Sequence, residues 1–294
     1  MTLETLATPP SADFALLDSG DGRKWERCGP YRFIRPEPQA LWRPRHADWP
    51  ADGSFTGGAD EEGGGRWTLA SSLPPRWPIE QAGVRLWASP TPFRHLAFFP
   101  DMAPHWAALA AIAGPGQRVL NLFGYTGVAT LVAARAGAEV VHVDASRKAV
   151  TAARANAGLS GLEGAPIRWI VEDARAFVAR EVRRGRRYQA ILLDPPKYGR
   201  GPDGEVWELA RDLPALVHGC AALLAGDARL LVLTTYAVRL SALALGALVA
   251  EATGGRAGLV QAGEMALLEE GPPESARVLP TAIFARWQAG APRA

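Results

Sequence analysis

Lysine, cysteine and long apolar runs are what this sequence lacks. Only Lys24, Lys148 and Lys197 are lysines among 32 basic residues, so positive charge is carried by arginine. A genomic composition bias accounts for that as well as a function would. The two cysteines, Cys28 and Cys220, lie far apart and without metal-ligand spacing, which argues against a disulfide framework and a zinc site. No metal site is expected. No apolar run approaches about 18 residues, so no membrane span is expected. The longest, Leu240 to Ala252, reads as a core-facing helix. The first twenty residues contain acids and lack a basic-then-apolar leader pattern, so the expected compartment is the cytoplasm. The formal net charge of +2 is too small to argue for or against a nucleic-acid partner.

What is present falls into two textures. Residues 1–95 hold six of the ten tryptophans, with dense proline and glycine and no long helical periodicity. Asp18-Ser19-Gly20-Asp21-Gly22 is a turn signal, Tyr31 to Arg35 and Arg66 to Leu69 read as strands, and Gly57 to Gly65 reads as a mobile hairpin tip. This stretch is expected to be a β-rich accessory domain, with 96–294 as the second domain. Its tryptophans are read as core in preference to a substrate platform. Thr91 to Asp101 is the junction, and Met102 to Ala113 is expected to be helical.

From Gln117 the pattern alternates. Strands are expected at Arg118–Leu122, Glu139–Val143, Ile167–Val171, Tyr188–Leu193 and Arg229–Thr234. Helices are expected to Ala136, over Arg147–Leu159 with Ser146 as cap, over Ala174–Arg183, about Leu213–Leu224 and Leu240–Ala252. Late strands near Leu259–Leu268 and Thr281–Trp287 have no helix between them. The fold class is therefore α/β: a mostly parallel sheet with helices on both faces and an antiparallel hairpin at one edge.

Ligands of open α/β sheets sit at the carboxyl ends of the strands. The first strand runs into Asn121-Leu122-Phe123-Gly124-Tyr125-Thr126-Gly127 and then a helix, so backbone can approach a ligand closely there. The next three strand ends carry acids: Asp144, Asp173 and Asp194. Any one of them suits helix capping; three in succession beside a glycine loop do not reduce to capping. Asp144 lies 17 residues after Gly127, near the roughly 20-residue spacing at which an acid meets ribose hydroxyls. Asp173 is placed to accept from an exocyclic adenine amine. In Asp194-Pro195-Pro196-Lys197-Tyr198 the prolines fix the backbone and expose a carbonyl, and Tyr198 offers a stacking surface. Lys197 suits a phosphate or plain solvent equally.

These motifs resemble those of class I S-adenosylmethionine-dependent methyltransferases, and most of all the bacterial 23S rRNA methyltransferase group that includes the large-subunit cytosine-C5 enzyme. The resemblance covers about residues 90 to 290 and implies a Rossmann-like sheet and S-adenosylmethionine as cofactor. It implies that Phe123, Gly124, Thr126 and Gly127 wrap the methionine end, with Asn121 and Tyr125 in the same loop. Asp144 would hold the ribose, Ala145 would lie beside the adenine, and Asp173 with the Ala174 backbone would meet the adenine edge. Asp194 and Pro195 would face the methyl group and the substrate, with Lys197 and Tyr198 following them, and Phe99 in the junction would cover the cofactor. Asn121 and Tyr125 stand where many of these enzymes have an acid and a glycine. The larger departure is Leu231-Val232-Leu233-Thr234-Thr235-Tyr236, which has no cysteine. A C5 enzyme needs one to attack C6, so direct transfer to a nitrogen or oxygen lone pair is expected instead.

Two basic clusters invite an RNA reading. Arg180, Arg183, Arg184, Arg186 and Arg187 fall at the amino end of the fourth strand, away from the acids, and are read as a solvated face. Arg23, Lys24, Arg32, Arg35, Arg43 and Arg45 interleave with Trp25, Tyr31, Phe33 and Trp42, a pattern that suits RNA and equally a small β domain with an arginine surface. Three functions remain open: a methyltransferase for an RNA base, one for a small molecule or protein side chain, and a non-catalytic cofactor-binding module.

Overall fold

The computed structural model describes residues 2–57, 65–236, 238–272 and 274–290. The hairpin tip expected around Gly57 to Gly65 lies, over residues 58–64, outside the described residues. The chain divides into two compact units, one of Met1–Thr5, His105–Glu264 and Ala282–Ala294, the other of Leu6–Pro104 and Met265–Thr281.

Strand β1 (Thr2–Thr8) comes first. A five-stranded sheet follows in the order β2 (Phe14–Gly20), β3 (Arg23–Cys28), β4 (Tyr31–Pro36), β5 (Gly53–Thr56) and β6 (Arg66–Leu69). A separate hairpin joins β7 (Trp77–Gln81) and β8 (Val84–Ala88). Alternation sorts the faces of this unit. Phe33, Phe55, Trp77, Ile79 and Leu86 turn inward and are buried, and Phe33 stacks on Trp77 with ring centroids 5.4 Å apart. Trp77 is therefore core, whereas Trp25, Trp42, Trp49, Trp67 and Trp87 are half-buried.

The inward face also swallows charge. Lys24, Glu26, Arg35 and Glu37 are all buried. Arg35 Nε and Nη2 donate to the two Glu26 oxygens at 2.7 and 2.9 Å, and Lys24 Nζ donates to Glu37 at 3.1 Å. Burial pushes the Glu26 carboxyl up, but Arg35 and Lys24 outweigh it and leave it below its ordinary value. Of the six basic residues weighed as an RNA face, Lys24 and Arg35 thus point inward and are spent on internal acids. Arg45 donates to the Ser275 carbonyl and lies 3.7 Å from Glu269.

The other unit is the predicted α/β layer. After the 3-10 turn Pro100–Met102 come α1 (Ala103–Ala110), β9 (Arg118–Leu122), α2 (Val128–Arg135), β10 (Glu139–Asp144), α3 (Arg147–Leu159), β11 (Ile167–Val171), α4 (Ala174–Arg183) and β12 (Ala190–Leu193). A short hairpin, β13 (Tyr198–Arg200) and β14 (Val206–Glu208), interrupts the alternation in a stretch to which the sequence pattern ascribes no element. Then follow α5 (Leu209–Ala222), β15 (Leu230–Tyr236), α6 (Ala242–Ala252), β16 (Leu259–Leu268) and β17 (Val278–Gln288). The eight-stranded sheet runs β1-β16-β17-β15-β12-β9-β10-β11. β11, β10, β9, β12 and β15 are parallel neighbours, and β17 is antiparallel to β15. The late strands are not the sheet's edge, because β1 lies outside β16.

Both faces of the parallel strands are covered, which is why they read as unbroken apolar runs. Leu120, Leu122, Ile191, Leu193, Leu231 and Leu233 pack with Phe177 of α4, Leu213 and Val217 of α5 and Val249 of α6. Asn121 turns to the opposite face and meets Thr130 of α2. Among the described residues no helix is long and apolar enough to cross a membrane. No cluster of three or more potential ligand side chains could hold a metal ion among them.

Candidate functional site

Strand order reverses at β9, which pairs with β10 on one side and β12 on the other. A crevice opens at such a switch point, outside the carboxyl ends of the strands. The loop from β9 to α2 leaves the strand through a sharp backbone reversal. Phe123, Tyr125 and Gly127 have φ of 54°, 45° and 88°, so two non-glycine residues are held in the left-handed region at a cost a functional loop tolerates. Gly124 N donates to Val143 O at 3.0 Å, and Gly127 N to Gly124 O at 2.9 Å. Gly124 must be glycine: a Cβ there would stand 2.5 Å from Cε1 of His142. Gly127 is the N-cap of α2 and has no side chain with which to cap its first N–H groups.

Beneath the loop runs a buried polar chain. Asn121 Nδ2 donates to Thr130 Oγ1 at 2.9 Å, and Thr130 Oγ1 lies 2.9 Å from His142 Nδ1. Burial pulls His142 down to about 3, so the ring is neutral at physiological pH. Asn156 of α3 donates to Thr126 O at 2.9 Å. Asn121, Thr126, Gly124 and Gly127 are thus knit into the loop's foundation. Phe123 and Tyr125 sit on it half-buried. Burial and the neighbouring Asp144 push the Tyr125 phenol up to about 12.

Asp144 closes β10 against this loop. Its Oδ2 accepts from Tyr125 N at 2.9 Å and its Oδ1 from Ser146 N at 2.8 Å. Burial raises this carboxyl, and the two N–H bonds oppose the rise. Among the described residues no cation pairs with it. A half-buried carboxylate with one bond on each oxygen and no counter-charge has acceptor capacity left for hydroxyl donors. Ala145 follows it, half-buried.

Asp173 is buried and caps α4, accepting from Arg175 N at 2.9 Å and Ala176 N at 3.1 Å. Arg175 adds an ion pair at 3.1 Å and reaches Asp212 of α5 at 3.0 Å. Ala174, the first helical residue, is buried. The backbones of the strand ends are tied together as well, since Glu172 N donates to Asp144 O at 3.2 Å.

Across the switch point stands Asp194. Thr234 of β15 donates its hydroxyl to Asp194 Oδ1. Pro195 is buried, while Lys197 and Tyr198 are exposed. Tyr198 opens the β13–β14 hairpin opposite Glu208. Trp207 of that hairpin, 3% exposed, donates Nε1–H to Pro196 O at 2.6 Å. Its ring lies 5.2 Å from the ring of Phe123. One side chain therefore joins the glycine loop to the Asp194 loop. Leu209 N takes the Lys197 carbonyl at 3.0 Å, so the carbonyls of 196 and 197 are already engaged and that of Pro195 precedes them.

Phe99 belongs to the other unit, just before the 3-10 turn, where its ring centroid is 5.2 Å from that of His95. Thr234, Trp207 and Arg175 were not singled out from the sequence. Thr234 sits one residue past the middle of an apolar strand, and only the register Leu193↔Leu233 places it beside Asp194. Cys28 and Cys220 are both buried, and burial pushes both thiols far up. The basic run is partly tied down by acids: Arg180 pairs with Glu172 and Arg184 with Glu181.

Comparison with known proteins gives the arrangement a setting. Residues 98–214 match the family described as "Conserved hypothetical protein 95". A crystal structure of an S-adenosylmethionine-dependent methyltransferase from Agrobacterium tumefaciens superposes with a TM-score of 0.93 at 46% identity, covering 99% of this chain and 95% of that one. Ribosomal RNA large subunit methyltransferase I of Aeromonas salmonicida is 34% identical over 121 residues, 41% of this chain and 30% of that protein. Ribosomal RNA large subunit methyltransferase K of Neisseria meningitidis is 28% identical over 151 residues, 51% and 42% respectively. The chain spans about a third of the length of the first of these curated relatives.

Proposed function

We propose that this chain, which belongs to the S-adenosylmethionine-dependent methyltransferases, methylates a base of ribosomal RNA in the cytoplasm by direct transfer, with no covalent cysteine adduct. The observation that carries the direct route is the pairing of an anchored Asp194 with two buried cysteines. The relatives named as ribosomal RNA methyltransferases support the RNA substrate.

The residues present fit the cofactor. Asp144, with unspent acceptor capacity and no counter-charge, suits the ribose hydroxyls. Phe123, Gly124, Thr126 and Gly127 wrap the methionine end, Asp173 and Ala174 meet the adenine edge, and Ala145 lies beside the adenine. Asn121 acts from beneath through Thr130. S-adenosylmethionine supplies an electrophilic methyl group on a sulfonium sulfur. The chain's work is to hold the acceptor in line and keep water out, which converts a two-body encounter into an oriented one. Asp194 and the Pro195 carbonyl accept hydrogen bonds from the acceptor group. Asp194 also takes up the proton that the acceptor gives off. Thr234 keeps the carboxylate turned for that work. Tyr198, 50% exposed, stacks on the target base, and Lys197 meets a phosphate.

Methyl transfer from radiolabelled cofactor into RNA, protein and small-molecule fractions of the cell tests the reading. Label is expected in large-subunit ribosomal RNA. Label confined to protein or metabolites would sink it. The near-neutral charge and missing C5 cysteine keep a small-molecule or protein acceptor as the second reading, and the same fractions decide between them.

A further inference from the structure

The smaller sheet has an outer face that the methyl-transfer chemistry does not use. Strand pairing fixes what it displays. Trp25 is opposite Ile34, and Arg27 is opposite Arg32. Ile34 is opposite Ser54, and Thr56 is opposite Arg66. The outward positions of β3 to β6 therefore carry Arg23, Arg27, Arg32 and Arg66, and none carries an acid. The acids of these strands are inward: Glu26 is consumed by Arg35 and Lys24.

Two tryptophans lie on this face in register with the arginines. Trp25 and Trp49 are stacked, 6.2 Å between centroids and 12° between planes. Arg23 lies 5.3 Å over Trp49 and Arg32 5.8 Å over Trp25. Both arginines are exposed, and both rings are half-buried. The placement is built. Trp25 Nε1 donates to Pro50 O at 3.0 Å. The fully buried Asp18 accepts from Trp49 Nε1 at 3.0 Å and from the backbone N–H of Arg45 and His46 at 2.9 and 2.8 Å. A guanidinium laid on a ring loses rotamer freedom but keeps its in-plane N–H fork for phosphate.

We infer that this Arg23–Trp49–Trp25–Arg32 face binds a single-stranded segment of RNA, with the two guanidinium groups on phosphates and bases stacked beside the indoles. The inference rests on the RNA reading of the function and adds the surface and the strandedness. Stacked aromatics on a sheet flanked by arginine suit unpaired bases; a duplex keeps its bases stacked on one another and offers only phosphates and sugars. Arg27 is not part of the contact, because its guanidinium is spent on the Ser11 and Ala12 carbonyls.

Fluorescence anisotropy of the full chain with a labelled 12-nucleotide single-stranded RNA, over a range of salt, tests this directly. The variant Arg23→Gln/Arg32→Gln is expected to bind about tenfold more weakly. Its log affinity against log salt should be shallower by about 1.4, since each lost phosphate contact on a single strand removes ~0.7. Arg85→Gln, on the other hairpin, should bind as the wild type does. Unchanged cofactor affinity in the double variant checks that it is folded. Equal binding and equal slope in wild type and double variant would overturn the inference, as would a wild type that binds duplex RNA or an acidic polypeptide more tightly than the single strand. Because anisotropy needs no methyl transfer, this failure is separate from a failure of the RNA reading, which the label-partition experiment reports by itself.

Discussion

Thr234 and Asp194 are one hydroxyl and one carboxylate, and on the proposed direct-transfer route the bond between them is the point at which turnover is most exposed to a small change. Thr234 is fully buried, so its hydroxyl has no water to turn to. Losing a hydrogen bond to a charged group costs about 1.5–3 kcal/mol. Thr234→Val is expected to lower kcat at least tenfold while leaving cofactor affinity within twofold, and Thr234→Ser to restore most of the rate. Steady-state kinetics beside calorimetry checks both; a matching loss of cofactor affinity in the valine variant would contradict the assignment. Asp144→Ala is expected to do the converse, weakening cofactor binding at least tenfold. The place of Asp144 at a strand end against the glycine loop was legible because strand, acid and loop carry a spacing. Thr234 was not, because its partner lies 40 residues away and only strand register joins them. The basic residues divide the same way. Arg23 and Lys24 are adjacent in sequence, yet one points out and the other in, and only the strand's alternation settles which.

At the scale of the element, the β9–α2 loop and the β13–β14 hairpin behave as one object clasped by Trp207. Trp207→Phe keeps an aromatic ring for Phe123 but removes the N–H that holds Pro196 O. It is expected to raise the KM for the acceptor and lower kcat several-fold with little change in melting temperature. Gly124→Ala is expected to fail differently: the new methyl cannot fit against His142, so the loop must shift, at about 1–3 kcal/mol. Weaker cofactor binding with a lower melting temperature is the expected signature, and calorimetry with thermal melts reads both. The parallel strands and α3, α4 and α6 were readable because both faces of the sheet are covered and Ser146, Asp173 and Ser241 mark helix starts. The β13–β14 hairpin was not. Its strands are three residues each, too short for a period, and what fixes them is Trp207 and the Lys197 carbonyl.

For the whole molecule, acid is the condition to watch. His105 and His142 are buried and His95 is half-buried, and desolvation pulls each ring down to about 3. Among the described residues neither ring nitrogen of His105 has a hydrogen-bond partner. Between pH 6.5 and about 3 the unfolded chain therefore takes up protons that the folded chain refuses. Stability is fully present above that window and falls as pH drops through it, by about 1.4 kcal/mol per pH unit for each histidine. The depressed Glu26 carboxyl adds to the loss below about its ordinary value, while the raised Asp144 carboxyl opposes it. Denaturant titrations at pH 7.5, 6 and 5 should show a steepening decline, and His105→Leu should flatten it. Retained stability at pH 5 would contradict the neutral assignment. The division into units was the least legible feature, because Thr2–Thr5 and Met265–Thr281 are assigned to units far from them in the chain, and no local composition marks that.

β1 has a consequence of another kind. Within the sheet it lies against β16, where Gly263 approaches so closely that a Cβ would sit 1.7 Å from Glu4 O, and Gln261 donates to both Glu4 oxygens at 2.8 Å. β1 thereby shields the hydrogen-bonding rim of β16 and puts a mostly polar, half-exposed ribbon outermost in its place. Stripped of that ribbon, β16 would offer an open ladder to any other extended segment, including its own counterpart in a second molecule. What looks like an ornament on the catalytic sheet is in this sense a guard on solubility.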